Sequence, residues 1–273
     1  MRVSVSAPIA ALGVLALGAC LRETFPPPDG GGLDDDGAPG DTAAPVDASP
    51  DAPPLSGHDE DGDGVDDAID NCPQSANAQQ RDLGELAAGR DADGVGDICD
   101  PDPDRPGNRI LLFDGMNAGL VPGRWTASGA TASGDSVRIE PNGGLVTTAT
   151  FPAHVLVNVS FSLVNVQQAS NGVIVASNYA SAASYVGCRR EVASTRILYG
   201  SSPVTAAPPA GPGQDVWMEL MADATQIDCG TAVDDGPWIA LDTPTTTLGT
   251  GNAAVLATGS AALVHFVVVI SRP

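Results

Sequence analysis

The chain has 273 residues, a formal net charge of -22 and no lysine. Such a chain repels the phosphate backbone of nucleic acids, which excludes that class of partner. Aromatic residues make up only 4% of the sequence, while glycine and proline are frequent, so the composition favours a β-rich fold with many turns over a large helical core.

Residues 1–19 have the anatomy of a cleaved signal peptide. Arg2 supplies a positive charge, and residues 8–17 form an apolar run too short to span a bilayer. The sequence Leu17-Gly18-Ala19-Cys20 resembles the lipobox of bacterial lipoproteins. This resemblance implies lipidation of Cys20 and an anchor in the membrane, at the outer membrane or cell surface. The alternative is an ordinary secretory signal with a chance cysteine.

Residues 20–57 contain much proline, glycine, alanine and aspartate and almost no large apolar side chains. Such a segment buries too little surface to offset the entropy of its ordering, so we predict a disordered tether. The negative charge is concentrated in this tether and in the segment after it. Residues 20–104 hold 23 of the 34 acidic residues and only three arginines, a distribution that attracts cations.

Residues 58–73 contain the strongest chemical motif of the chain. Asp59, Asp61 and Asp63 alternate, and Gly64 follows them. In a loop of EF-hand type, carboxylates at positions 1, 3 and 5 converge on calcium and a glycine at position 6 permits a sharp turn. A backbone carbonyl and later acids complete the shell. The predicted ligands are Asp59, Asp61, Asp63, the carbonyl of Val65, Asp67 and Asp70.

Residues 58–104 as a whole resemble thrombospondin type 3 repeats. The resemblance rests on the stretches 59–73 and 91–104, and on Asn77, Gln80 and Asp82 between them. It implies calcium as the cofactor, a chain that wraps around the ions with little regular structure, and a disulfide between Cys72 and Cys99. The second set of implied ligands is Asp91, Asp93, Asp97 and Asp100.

The second half of the repeat departs from the family pattern. Gly89 stands where the family has an aspartate, and residues 83–90 form an insertion between Asp82 and Asp91. Two outcomes are open at this point. Either Asp82 loops back as a ligand, or the second site is one carboxylate short and binds calcium more weakly, since affinity follows the number of charged ligands.

The chain has five cysteines. With Cys20 lipidated, Cys72, Cys99, Cys188 and Cys229 remain in a compartment that tolerates disulfides. Four cysteines allow three connectivities, of which Cys72–Cys99 and Cys188–Cys229 is the most economical because each bond then stays within one domain. The rival role for Cys188, a catalytic thiol, lacks a histidine in a suitable partner motif.

Residues 108–273 read as a separate all-β domain. Short apolar runs alternate with turn residues, and from Val157 to Leu163 apolar and polar residues alternate as in a strand with one buried face. We predict an antiparallel β-sandwich. The predicted strands are 109–113, 136–140, 154–163, 172–177, 184–188, 195–199, 215–222 and 261–270.

The sequence of this domain is similar to those of the concanavalin/laminin-G-like jelly rolls found on bacterial surfaces. The similar stretches are 113–125, 184–191, 216–223, 227–236 and 251–260. This resemblance implies a tendency to bind a glycan or a surface protein, and it names no particular ligand.

Catalytic patterns are weak in this sequence. Glycosidases on a jelly roll need two carboxylates that flank the sugar bond, whereas Glu219 stands alone on its strand face between Asp215 and Asp223. No catalytic residue is therefore assigned, and Glu219 is expected to be an exposed strand residue. The sequence predicts a non-enzymatic, calcium-binding, lipid-anchored surface protein whose stalk presents a β-sandwich for adhesion. The alternative is a glycan-processing enzyme on the same scaffold.

Overall fold

The structure is a computed structural model that describes residues 54–166, 168–200, 202–245 and 248–273. The predicted signal peptide, the lipidation site at Cys20 and nearly all of the predicted tether lie outside the described residues. In the described part of the chain, no helix is long and apolar enough to cross a membrane.

The described residues form one short helix and thirteen strands. The elements are α1 Gly84–Ala87, β1 Arg109–Asp114, β2 Trp125–Ala132, β3 Val137–Thr147, β4 Val155–Leu163, β5 Gly172–Ser181, β6 Ser184–Glu191, β7 Ser194–Ile197, β8 Val204–Ala206, β9 Asp215–Ala222, β10 Gln226–Val233, β11 Ile239–Pro244, β12 Asn252–Thr258 and β13 Ala262–Ser271.

The strands pair antiparallel in the order β11-β10-β9-β4-β13-β3-β12-β5-β6-β7-β8, with β1 beside β13 and β2 beside β3. This sheet folds back on itself, because β5, β6 and β7 lie across from β4, β9, β10 and β11 without hydrogen bonds between them. The predicted all-β, antiparallel sandwich of jelly-roll type is therefore confirmed.

Strand β3 carries the sheet from one layer to the other. Its first part, Val137–Ile139, pairs with β13, and its last part, 144–146, pairs with β12. Between them Asn142 adopts a positive φ of 65°, and the facing strand β2 bulges around Gly129. Bulges and left-handed residues bend strands sharply, so this short segment makes the corner of the sandwich.

The core lies between the two layers. The alternating residues of β4 from Val155 to Leu163 all point into it, as their sequence pattern predicts. On β13, Val264 and Val267 both face the core because a bulge around His265 shifts the alternation by one residue. The disulfide Cys188–Cys229 joins β6 of one layer to β10 of the other.

All eight predicted strands are present, and five further strands were missed. The missed strands are β2, β8, β10, β11 and β12. Strand β2 is largely exposed, and β10 and β12 contain glycine, alanine, aspartate or asparagine, so none of them shows the long apolar alternation that marks a strand in sequence.

The repeat packs against the outer face of the sandwich. Val95 is 1% exposed and lies in an apolar cluster with Leu156 of β4 and with Phe266, Val268 and Ile270 of β13. Both faces of β4 are consequently buried, whereas the sequence indicated only one. Residues 58–104 therefore do not form a stalk that stands away from the sandwich, in contrast to the prediction from the sequence.

An ion pair reinforces this contact. Arg272, next to the end of β13, donates two hydrogen bonds of 2.7 and 2.8 Å to the carboxylate of Asp102. Within the repeat, the disulfide Cys72–Cys99 connects the two halves, as the family resemblance implies. The repeat is thus tied both to itself and to the sandwich.

Candidate functional sites

The first loop of the repeat curls in the way its glycines predict. Gly62 and Gly64 adopt positive φ angles of 74° and 94°, which side-chain-bearing residues rarely adopt. The carboxylate of Asp59 accepts hydrogen bonds from the backbone N–H groups of Gly62, Asp63 and Gly64. These bonds fold the loop around its own first carboxylate.

This curl brings three predicted ligands together. Asp59, Asp61 and Asp63 each place a carboxylate oxygen within 4.8 Å of the other two. The Oδ2 atom of Asp61 is buried and has no hydrogen-bond donor. Burial, together with the charges of Asp63, Asp70 and Asp59, raises the pKa of Asp61 to about 6. The cluster offers a cation hard oxygen ligands at one point.

The remaining predicted ligands of the first loop differ in their placement. Asp70 is not part of the group formed by Asp59, Asp61 and Asp63, but it is buried, its Oδ2 has no donor, and burial raises its pKa. Asp67 is used elsewhere, since Oδ2 lies 2.7 Å from His58 Nδ1 and Oδ1 accepts the N–H of Glu60. Its assignment as a ligand is not supported. The role of the Val65 carbonyl stays a prediction.

The second loop repeats the geometry of the first about thirty residues later. Gly94 has the same φ of 94° as Gly64. Asp93 accepts hydrogen bonds from the backbone N–H groups of Val95, Gly107 and Asn108. In the first loop, Asp63 accepts the corresponding bonds from Val65 and Asn77. The two halves therefore share one backbone design.

The carboxylates of the second loop form two overlapping groups. Asp82, Glu85 and Asp97 make one, and Glu85, Asp93 and Asp100 make the other, each with ligand oxygens within 4.8 Å of one another. Glu85 belongs to both and was missed in the sequence, because it lies in the segment 83–90 that interrupts the repeat pattern. That segment forms α1, which buries Glu85 completely.

The structure shows where the two uncertain acids of this half lie. Asp82 does loop back, and its Oδ1 is buried without a donor while Oδ2 accepts the N–H of Gly94. Asp91 is exposed and belongs to neither group, so its assignment as a ligand is not supported.

The chemistry of these groups fits calcium. Glu85 has two buried oxygens without donors, and Asp82 and Asp100 have one each. Burial, with the nearby carboxyls of Asp82 and Asp100, raises the pKa of Glu85 to about 7. Buried carboxylates persist in proteins when they are paired or coordinate a metal, and calcium takes six to eight oxygen ligands.

Residues 57–80 and 89–108 match the thrombospondin type 3 repeat family. The match covers both loops and stops at the insertion that carries Glu85. The match agrees with the resemblance inferred from the motifs for this part of the chain. A comparison of the whole chain with curated protein sequences finds no match.

Several solved structures are similar to this chain at low identity. The Ca2+-bound exoplasmic/lumenal domain of VIP36 is 10% identical with a TM-score of 0.46, over 57% of this chain and 88% of that domain. Peanut lectin with a 9-residue peptide is 9% identical with a TM-score of 0.47, over 61% of this chain and 98% of the lectin. The GH43 protein BlXynB of Bacillus licheniformis is 10% identical with a TM-score of 0.47, over 59% and 39%. These likenesses are too distant to carry an argument about function.

A second candidate group of side chains lies on the outer face of β9 and β10 and beside the start of β11. Trp238 is 46% exposed, and its ring lies over Gly230, where an added Cβ would meet the ring at 2.0 Å. Glu219 of β9 pairs with Gly230 in register, and Asp228 lies two residues away on β10. An exposed indole beside carboxylates offers an apolar platform and hydrogen-bond acceptors on one surface.

Glu219 differs from the exposed strand residue that its sequence predicts. It is half-buried, and burial followed by the charge of Asp228 raises its pKa to about 7, while Arg272 acts in the opposite direction. Burial also raises the pKa of Asp228. The other two tryptophans have structural roles: Trp125 is buried and donates to Asp114, and Trp217 packs edge-on against Phe266.

Proposed function

We propose that this chain is a non-enzymatic, lipid-anchored protein of the outer membrane or cell surface that binds glycans through its sandwich. Calcium in the repeat orders residues 58–104 and fixes them on the outer face of the sandwich. The tether of residues 20–57, rather than the repeat, then provides the reach from the membrane.

The convergence of buried carboxylates carries the calcium part of this proposal. Glu85 is fully buried and neither of its carboxylate oxygens has a donor, and the buried Asp100 has one oxygen, Oδ2, without a donor. An apolar core does not replace them, because Cys72 and Val95 are the only buried hydrophobic residues among the described residues of the repeat. Cations are therefore the groups expected to hold this segment together.

The surface around Trp238 supports a carbohydrate ligand. Sugars present apolar ring faces that stack on an exposed indole, and hydroxyl groups that donate to carboxylates. Glu219 and Asp228 provide such acceptors beside the ring. Glu219 and Asp228 lie on the paired strands β9 and β10, and Trp238 directly precedes β11.

A polysaccharide pull-down with the full-length chain in millimolar calcium tests this function. We expect retention of a subset of polysaccharides and a loss of at least tenfold in affinity for the Trp238→Ala variant. The matched control is Val204→Ala, which removes an exposed apolar side chain from β8 at another edge of the sheet. Equal loss in both variants, or no retention of any polysaccharide, would contradict the proposal.

The same surface favours one second candidate, a glycan-processing enzyme. A carboxyl group with a pKa near neutrality suits a general acid, and Glu219 has a second carboxylate, Asp228, as its neighbour. Release of reducing sugar by the full-length chain, lost in Glu219→Gln and retained in Glu140→Gln, which removes an exposed carboxylate from β3, would establish this activity. Retention without product is the outcome expected for a binding protein.

A further inference from the structure

Glu85 is the most completely enclosed acidic side chain in the described residues. Its exposed fraction is 0%, and neither Oε1 nor Oε2 has a hydrogen-bond donor. The helix α1 that carries it has only four residues, and its first turn contains no other acid. A carboxylate in this position needs positive charge from elsewhere.

Two separate sets of acids face Glu85. Asp82 and Asp97 belong to the first set, and Asp93 and Asp100 to the second, each with oxygens within 4.8 Å of one another and of Glu85. Among these acids, Asp82 Oδ1 and Asp100 Oδ2 are also buried without donors. Each set therefore offers at least one free oxygen besides those of Glu85.

We propose that Glu85 is a ligand shared by two calcium ions, one held with Asp82 and Asp97 and the other with Asp93 and Asp100. Each oxygen of Glu85 serves one ion. The insertion 83–90, which the repeat pattern treats as an interruption, thus supplies the carboxylate that the pattern lacks at Gly89. This inference rests on the proposed calcium binding and adds the residue on which the second half of the repeat depends.

The two proposed calcium ions lie where the repeat joins the sandwich. Asn108 is fully buried, its side-chain amide donates to Asp100, and its backbone N–H donates to Asp93. Strand β1 begins at the next residue, Arg109, and pairs with β13. Val95, between the ligands of the second loop, packs on the same β13. The two ions consequently set the point at which the repeat joins the sandwich.

Equilibrium dialysis of the full-length chain against defined free calcium, with the bound metal counted by mass spectrometry, tests the shared role. Glu85→Gln keeps the size of the side chain and removes its charge. We expect this variant to bind two calcium ions fewer per chain than the wild type at a calcium concentration that just saturates the wild type. Asp91→Asn removes an acid from the same loop that belongs to neither set, and we expect it to lose none.

The outcomes separate this inference from the proposed function. A wild-type chain that binds no calcium would contradict both the proposed function and this inference. A wild-type chain that binds calcium, with Glu85→Gln unchanged or short by a single ion, overturns only the shared ligand. Glu85→Asp keeps the charge, so it covers the case in which Glu85→Gln fails to fold. Anomalous scattering from crystals of the calcium-loaded wild type gives a direct check, with two peaks beside Glu85 expected and one peak contradicting the proposal.

Discussion

The sandwich and the repeat bury opposite kinds of side chain. The interior of the sandwich consists of valine, leucine, isoleucine, phenylalanine and alanine from both layers. In the repeat, the buried residues are mostly polar, with Asp70, Gln74, Glu85 and Asp100 among them. One region is stabilised by removing apolar surface from water, and the other has its acids arranged for cations.

Because of this difference, we expect the stability of the two regions to depend on different conditions, although they are packed together. Apolar burial depends little on metal ions, whereas carboxylates held within 4.8 Å of one another repel each other without a counterion. The contact around Val95 and the ion pair of Asp102 with Arg272 join the two kinds of region. Four predictions test how separate they are.

Removal of calcium has the largest expected effect. With EGTA, backbone amides of residues 57–108 should exchange with deuterium at rates near those of an unfolded chain, while those of β4 and β13 stay protected. The reason is that metal binding supplies the folding free energy of such a repeat. Hydrogen exchange with mass spectrometry measures both regions in one sample, and added calcium should restore protection. Unchanged exchange in the repeat would show that the ions are not structural.

The converse change is made in the core of the sandwich. Phe161 of β4 is fully buried, so Phe161→Ala should lower the free energy of unfolding by about 3–5 kcal/mol, through lost burial and the cavity left behind. Urea unfolding at saturating calcium measures the loss, with the exposed Val204→Ala as control. A loss below about 1 kcal/mol would mean that the apolar core does not dominate the stability of the sandwich.

The contact between the regions is tested by two valines at equivalent positions. Val95 follows Gly94 and is buried against β13, whereas Val65 follows Gly64 and is partly exposed. Val95→Ala should lower the unfolding free energy by about 1–2 kcal/mol, and Val65→Ala by about half of that or less. Calcium stoichiometry should stay the same in both. Equal losses would indicate that the second loop is not the docking point.

The last prediction concerns Glu219, a half-buried acid outside the carboxylate groups of the repeat. The pKa of Glu219 is raised to about 7, so the folded state holds its proton more tightly than the unfolded state does. Stability from this group is present below pH 4.5 and is lost as the pH rises through 7. Relative to Glu219→Gln, the wild type should lose about 2–3 kcal/mol between pH 5 and pH 8 at fixed saturating calcium. Parallel pH profiles of the two proteins, measured by urea unfolding, would contradict this.

Local sequence patterns determined much of this protein. The alternation of Asp59, Asp61 and Asp63 before Gly64 predicted a loop that the structure confirms, because ligand spacing and a glycine turn act over a few neighbouring residues. The alternation along β4 likewise predicted a strand, since side chains of a strand point to opposite faces in turn. The all-β sandwich followed from repeated patterns of this kind.

Only the tertiary structure decided which acids meet. Asp67 turns to His58, Asp91 stays exposed, and Glu85 enters both groups of the second half. A fixed spacing in the sequence predicts none of these three placements. They depend on how the insertion folds and on hydrogen bonds that form only in the folded chain. The docking of the repeat on the sandwich could not be predicted from the sequence either, since Val95 is buried only where it contacts the outer face of β13.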